Sequence, residues 1–179
     1  MALGATVYNF DIDLADSGRG VYESLALRIA RHPSESDEYL IARLLAYCVE
    51  YTDGIEFSRG GLSDPDEPPI AVKDLTGRLR VWIDIGTPDA QRLHKAGKLA
   101  PRVAVYTHKD PSQWLRTLAG ERIHNSQDLE IYAFDRPLIA ELASRLERRM
   151  SFALSVDEGE LCLSLAGATV SGTAQRVRL

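Results

Sequence analysis

Pro65-Asp66 is a Pro-Asp pair in a loop, and Asp84 follows 18 residues later on a segment that reads as a central strand. Mg²⁺ is a hard cation that takes oxygen ligands; once bound, it polarises a phosphate and activates water. Asp66 and Asp84, with the backbone carbonyl of Ile85, are therefore a candidate Mg²⁺ site for a phosphodiesterase or nuclease. Chemistry of this type also uses a lysine near the nucleophile, to offset charge and position the water. The expected place, two residues past the strand acid, holds Gly86. Lys95 stands on the next helix, seven residues past Pro88, roughly 10 Å along the axis at 1.5 Å per residue. Its side chain points back toward the helix N-terminus and recovers about half of that distance. A lysine migrated onto the helix is thus geometrically feasible, and Gln91, one turn earlier on the same face, is a second candidate for orienting the water. Glu35 and Glu38 sit three residues apart near the start of an earlier helix. Either can lend a third carboxylate, Glu38 as the accessory acid.

Each residue also has a plainer role. Asp66 and Glu67 suit a solvated turn. Asp84, between Ile83 and Ile85, needs a partner because a carboxylate on an apolar strand is costly to bury alone; Arg59, Arg80 or Lys95 can supply it as a structural ion pair. Glu35 and Glu38 are favoured near a helix N-terminus by the helix dipole. Trp82 and Trp114 read as core residues.

The elements that must position these groups follow from periodicity. Residues 5–14 and 21–31 read as strands joined by a turn containing Asp16, Ser17, Gly18 and Gly20, hence a hairpin. Ser34 reads as an N-cap with Asp37 three residues on, and Leu40, Ile41, Leu44, Leu45 and Cys48 recur at helical spacing, which predicts an amphipathic helix over 35–51. A short strand over 55–58 precedes a loop over 60–69 rich in Gly, Pro and acid. Residues 70–73 and 79–85 read as paired strands, the second apolar on both faces at its end, as a central strand is. Thr87 as cap and Pro88 in the first turn open the next helix. Strand 103–107, helix 111–118, strand 129–134 and helix 137–149 then alternate as parallel βαβ units do. Residues 152–156 and 160–165 close the chain as an antiparallel hairpin. The expected sheet is mixed, antiparallel at its start and finish and parallel in the middle.

The bulk properties fit this picture. The 179 residues suffice for one core, not two ordinary domains. With 45% apolar and 26% charged residues the chain has the balance of a folded globular protein. No stretch is apolar enough to cross a bilayer. The first fourteen residues lack a basic start and carry Asp11 and Asp13, unlike a signal peptide. Cys48 and Cys162, flanked by apolar neighbours, read as buried free thiols of a cytoplasmic protein. The net charge is −5, yet residues 71–125, from Lys73 to Arg122, hold ten basic residues against five acidic ones. That basic middle is either a phosphate-facing surface or an ordinary solvated face.

Several segments in order resemble the YaeQ family. They are His32-Pro33-Ser34-Glu35 with Glu38 and Arg43-Leu44-Leu45-Ala46-Tyr47, then Phe57-Ser58-Arg59-Gly60, Asp66-Glu67-Pro68, Trp82-Ile83-Asp84-Ile85-Gly86, Pro88-Asp89 and Lys95-Ala96. The resemblance spans nearly the whole chain as one domain. It implies a compact restriction-endonuclease-like α/β fold, a variant of the PD-(D/E)xK group, with a central mixed sheet flanked by helices. It also places Glu38, Asp66, Asp84 and Lys95 around one cleft. One departure is Asp84 itself, where the family pattern favours Glu; the carboxylate here is one methylene shorter. Two functions are compatible with this reading: a Mg²⁺-dependent nuclease, and a catalytically silent, transcription-related module that engages nucleic acid or a protein through the basic middle segment.

Overall fold

The computed structural model describes residues 4–59 and 65–179. Half of the expected loop over 60–69, residues 60–64, lies outside them. Strand β1 (Thr6–Asp16) turns its alternate residues Tyr8, Phe10, Ile12 and Leu14 into the core and exposes Asp11 and Asp13, the two-residue period of a half-buried strand. Its antiparallel partner β2 (Val21–Arg31) runs in unbroken register from Thr6 opposite Arg31 to Asp16 opposite Val21. The other side of β1 pairs in parallel with β8 (Arg149–Asp157). From there β9 (Glu160–Leu165) and β10 (Ala168–Val177) continue as an antiparallel meander.

Strand β10 also pairs with β7 (Glu130–Phe134), and so joins the meander to a second arm. In that arm β7, β6 (Arg102–Thr107) and β5 (Leu79–Ile85) are parallel, and β4 (Ile70–Lys73) and β3 (Ile55–Phe57) complete it antiparallel. The order among the described residues is β2-β1-β8-β9-β10-β7-β6-β5-β4-β3, one large, nearly closed mixed sheet. The expected pairing of 70–73 with 79–85, and the parallel step from β5 to β6, are both present.

Helix α1 (Asp37–Val49) fills the space inside the curve. Every residue from Leu40 to Cys48 is buried, Arg43 included, so the helix is enclosed and not amphipathic as expected. The sheet wraps one side and α4 (Arg136–Ser144) packs on another. A helix covered all round must satisfy any charge internally. Arg43 does so through Glu35 at 3.1 Å and the carbonyl of Ala30 at 3.0 Å, although its Nε has no hydrogen-bond partner among the described residues. The opposite face of β5, β6 and β7 carries a second, smaller core: Trp82, Val103, Val105 and Ile131 meet Leu93 and Ala96 of α2 (Ala90–Leu99) and Leu118 of α3 (Ser112–Leu118).

Several expectations need correction. The cap of α1 is Ser36, whose side chain accepts from the Tyr39 amide at 3.1 Å; Ser34 instead bonds the His32 ring. The cap of α2 is Asp89, which accepts from the Arg92 amide at 2.8 Å, not Thr87. The last helix stops at Ser144, because the chain must be extended from Arg149 to pair with β1. Strand β10 was not foreseen; it turns the terminal hairpin into a meander and links the two arms. Cys48 is buried, with its thiol pushed up to about 12 by desolvation, but Cys162 lies exposed on β9. Trp82 is core; Trp114 is half-buried and donates its indole N–H to the Pro88 carbonyl at 2.7 Å.

Candidate functional site

Residues two apart on a strand share a face. Ile83 and Ile85 of β5 therefore look into the core around α1, while Trp82 and Asp84 look toward α2. Asp84 is 2% exposed, and its carboxylate is fully engaged. Arg92 Nε donates to both oxygens, at 3.0 Å and 2.9 Å, and Trp82 Nε1 donates to Oδ2 at 3.0 Å. The Arg92 guanidinium also lies 5.2 Å from the Trp82 ring centroid. Burial raises the Asp84 pKa despite the opposing pull of Arg92 and Trp82. With the cap at Asp89, Arg92 falls in the first turn of α2, over the end of β5; a cap at Thr87 puts it two residues further along the helix. That two-residue difference is why Arg92 is absent from the sequence-derived candidates, which named Arg59, Arg80 and Lys95 as partners for Asp84.

Arg92 does a second job. Its Nη2 donates to the Glu67 carbonyl at 2.9 Å and its Nη1 to the Pro65 carbonyl at 3.4 Å, so one guanidinium ties the 65–67 loop to the end of β5. Three residues on, Lys95 forms an ion pair with Asp66. Asp66, Asp84 and Lys95 are thus brought to one side of the sheet, each carboxylate facing a different cation of α2. Ile85 ends β5, buried, with its side chain in the α1 core. Gln91 has other surroundings: it lines a groove with His94 and Lys98.

The acids at the start of α1 have other immediate partners. Glu38 is exposed, and its charge acts on His108, opposing the burial and the Lys109 charge that lower the His108 pKa. Glu35 is 2% exposed and paired with Arg43; burial raises its pKa, and its Oε1 has no hydrogen-bond partner among the described residues. Between these groups stands Tyr39, whose ring meets that of His108 edge-on at 6.1 Å. Desolvation raises its phenol, with the charges of Arg43, Glu35, Asp84 and Arg92 all felt there. A separate, more exposed polar network lies elsewhere: Arg102 joins Glu50 and Glu130, and Tyr106 and Tyr132 donate to these acids at 2.6 Å and 2.8 Å.

The profile of the family described as "YaeQ protein" matches residues 1–173. This chain belongs to the YaeQ family. It is 30% identical over 166 residues to "Uncharacterized protein YaeQ" of Escherichia coli (strain K12), covering 92% of this chain and 91% of that protein. The Salmonella typhi YaeQ is 31% identical over 171 residues, with the same coverage of 92% and 91%. Among solved structures, the YaeQ protein from Pseudomonas syringae superposes with a TM-score of 0.89 at 32% identity, covering 98% of this chain and 97% of that one. The YaeQ protein from Xanthomonas axonopodis pv. citri gives 0.86 at 32% identity, with 97% and 98% covered.

A magnesium ion needs near-octahedral oxygen ligands at about 2.0–2.1 Å. Both Asp84 oxygens are engaged by donors, Asp66 faces Lys95, and no group of three or more His, Cys, Asp or Glu able to hold a metal occurs among the described residues. In this arrangement the residues do not fit the ion. What the site does chemically is hold a loop: charge at Asp84 is converted by Arg92 into hydrogen bonds to the 65–67 backbone.

Proposed function

We propose that this YaeQ-family protein is a catalytically silent nucleic-acid-binding module, built as one cytoplasmic domain on a restriction-endonuclease-like frame. The observation that carries the silent half is the Arg92–Asp84 pair. A carboxylate 3% exposed in its side chain, with an arginine on both oxygens, is a structural anchor. Breaking such a pair to admit another cation leaves Arg92 itself without its partner. The binding half rests on the basic 71–125 segment, whose cations Lys98, Arg122 and Arg116 stay exposed on the outer side of α2, α3 and the following segment. Among the described residues no helix is long and apolar enough to cross a membrane.

The second reading is a Mg²⁺-dependent phosphodiesterase, with Asp66, Asp84 and the Ile85 carbonyl as ligands, Lys95 or Gln91 orienting water, and Glu38 accessory. The contact between Lys95 and Asp66 favours it, since a helix lysine does reach the Pro-Asp loop. One experiment separates the two. Purified protein is incubated with single-stranded, duplex and branched DNA and RNA in Mg²⁺ or Mn²⁺, with EDTA controls, and binding is followed in parallel. Salt-dependent binding without cleavage is the expected result. Cleavage that EDTA stops and Asp84→Asn abolishes would overturn it in favour of the nuclease.

A further inference from the structure

Helix α2 presents two polar stripes. Arg92 and Lys95 are spent on Asp84 and the 65–67 loop. Gln91, His94 and Lys98, at i, i+3 and i+7, form the other stripe and line an open groove of about 650 Å³ with Arg122, His124 and Asn125. Gly97 makes the groove possible. A Cβ there would stand 2.6 Å from the His124 carbonyl oxygen, so only glycine lets the 121–125 segment lie this close to the helix. Buried Ile123 pins the segment to the second core, and Asn125 turns the chain with φ 53°. The result is His124 facing His94, ring centroids 6.2 Å apart and nearly perpendicular.

We infer that this groove binds the phosphate backbone of a nucleic-acid strand without reading its bases. Six of its lining side chains, Gln91, His94, Lys98, Arg122, His124 and Asn125, can donate hydrogen bonds; Glu121 is the one acid, and only Ala90 and Ile123 are apolar. A donor-rich wall suits acceptor-rich phosphates. Desolvation, then Lys98, His124 and Arg122, hold the His94 pKa below the ordinary range against a hydrogen bond with the Arg122 backbone. An anion there would offset the neighbouring charges of Lys98 and Arg122. With only two apolar residues in its lining, the groove is furnished for phosphates and not shaped as a pocket for a base. The stripe from Gln91 to Lys98 spans about 10 Å at 1.5 Å per residue, long enough to face neighbouring phosphates of one strand.

The inference rests on the nucleic-acid reading above and assigns its contact surface. Fluorescence anisotropy with a labelled single-stranded 20-mer of mixed sequence, in EDTA across a salt series, tests it with three proteins: wild type, Lys98→Ala/Arg122→Ala, and Arg78→Ala/Arg80→Ala. The last pair is equally exposed and in the same basic segment but outside the groove. The groove variant should bind about tenfold or more weakly, with the slope of log K against log salt reduced by about 1.4 for two lost phosphate contacts, while the control pair stays within about twofold. Excess unlabelled oligonucleotide of a different sequence should compete fully. If wild type binds and the groove variant binds equally well, the groove assignment is overturned and the binding module stands. If wild type does not bind, both fall. Binding displaced by low millimolar inorganic phosphate but not by unlabelled oligonucleotide would also overturn the strand assignment.

Discussion

Arg92 Nε stands 3.0 Å and 2.9 Å from the two carboxylate oxygens of Asp84, across the βα turn that separates β5 from α2. The same guanidinium reaches the carbonyls of Pro65 and Glu67. Three pieces of chain, the end of a central strand, the first turn of the helix that follows it and a Pro-rich loop, therefore meet at one planar cation. Arginine suits the role because its fixed fork supplies several donors at once.

Replacing Arg92 with Met should destabilise the protein by about 3–5 kcal/mol near neutral pH, because it strands a buried carboxylate. The pH dependence has a definite sign. Burial raises the folded Asp84 pKa, and losing Arg92 removes an interaction that lowers it. A raised carboxyl contributes most to stability below its unfolded pKa and loses that contribution as pH rises through the folded value. Urea midpoints should thus show a larger loss for Arg92→Met at pH 8 than at pH 5. An equal loss at both would contradict the buried-anchor account.

Magnesium should not stabilise the protein. A ligand at a hundred times its Kd adds about 2.7 kcal/mol to the folded state, a shift that thermal melting resolves easily. With Asp84 held by Arg92 and Trp82, 10 mM Mg²⁺ against EDTA should move Tm by no more than about 1 °C. A rise of several degrees, absent in Asp84→Asn, would favour the phosphodiesterase reading.

His108 should make the fold acid-sensitive. Burial, then Lys109, lowers its pKa against the pull of Glu38. Between that lowered value and the unfolded value of about 6.5 the unfolded chain binds more protons, so stability falls as pH falls through this window. Chemical denaturation at pH 7.0 and 5.5 should show a smaller drop for His108→Gln than for wild type. A Glu38→Gln variant should show a larger drop than wild type.

Gly54 cannot be replaced cheaply. Its φ is +85°, and an added Cβ would fall 2.0 Å from the Lys73 carbonyl oxygen, whose strand pairs with β3. Gly54→Ala should lower stability by about 1–3 kcal/mol, read as a lower urea midpoint with an unchanged m-value. A neutral outcome would mean that β3 relaxes away from β4.

Much of the fold is local physics and so was legible in the sequence. Val21–Arg31, Ile70–Lys73, Leu79–Ile85 and Glu160–Leu165 carry alternation or apolar runs bounded by Gly, Pro and Asp, and each is a strand with the expected limits. The βαβ alternation through the middle determined the parallel strands, because a crossover helix permits little else. The two acids and the helix lysine were also readable, since residue type and order suffice to nominate them.

What only the tertiary structure decided is which groups face one another. Strand Ala168–Val177 has little pattern of its own and exists because β9 and β7 both offer it an edge. Helix α1 reads as amphipathic, yet the sheet curls round it, and Arg43 is buried because Glu35 arrives from the preceding turn. The partner of Asp84 depended on where α2 begins: a cap at Asp89 brings Arg92 over the strand end and leaves Lys95 for Asp66. The groove of His94 and His124 is likewise invisible in sequence, since the two histidines meet only through the close approach at Gly97. Residue type is written in the chain, but a charge acquires its role from the neighbour that folding places against it, and that pairing is set by the packing of whole elements.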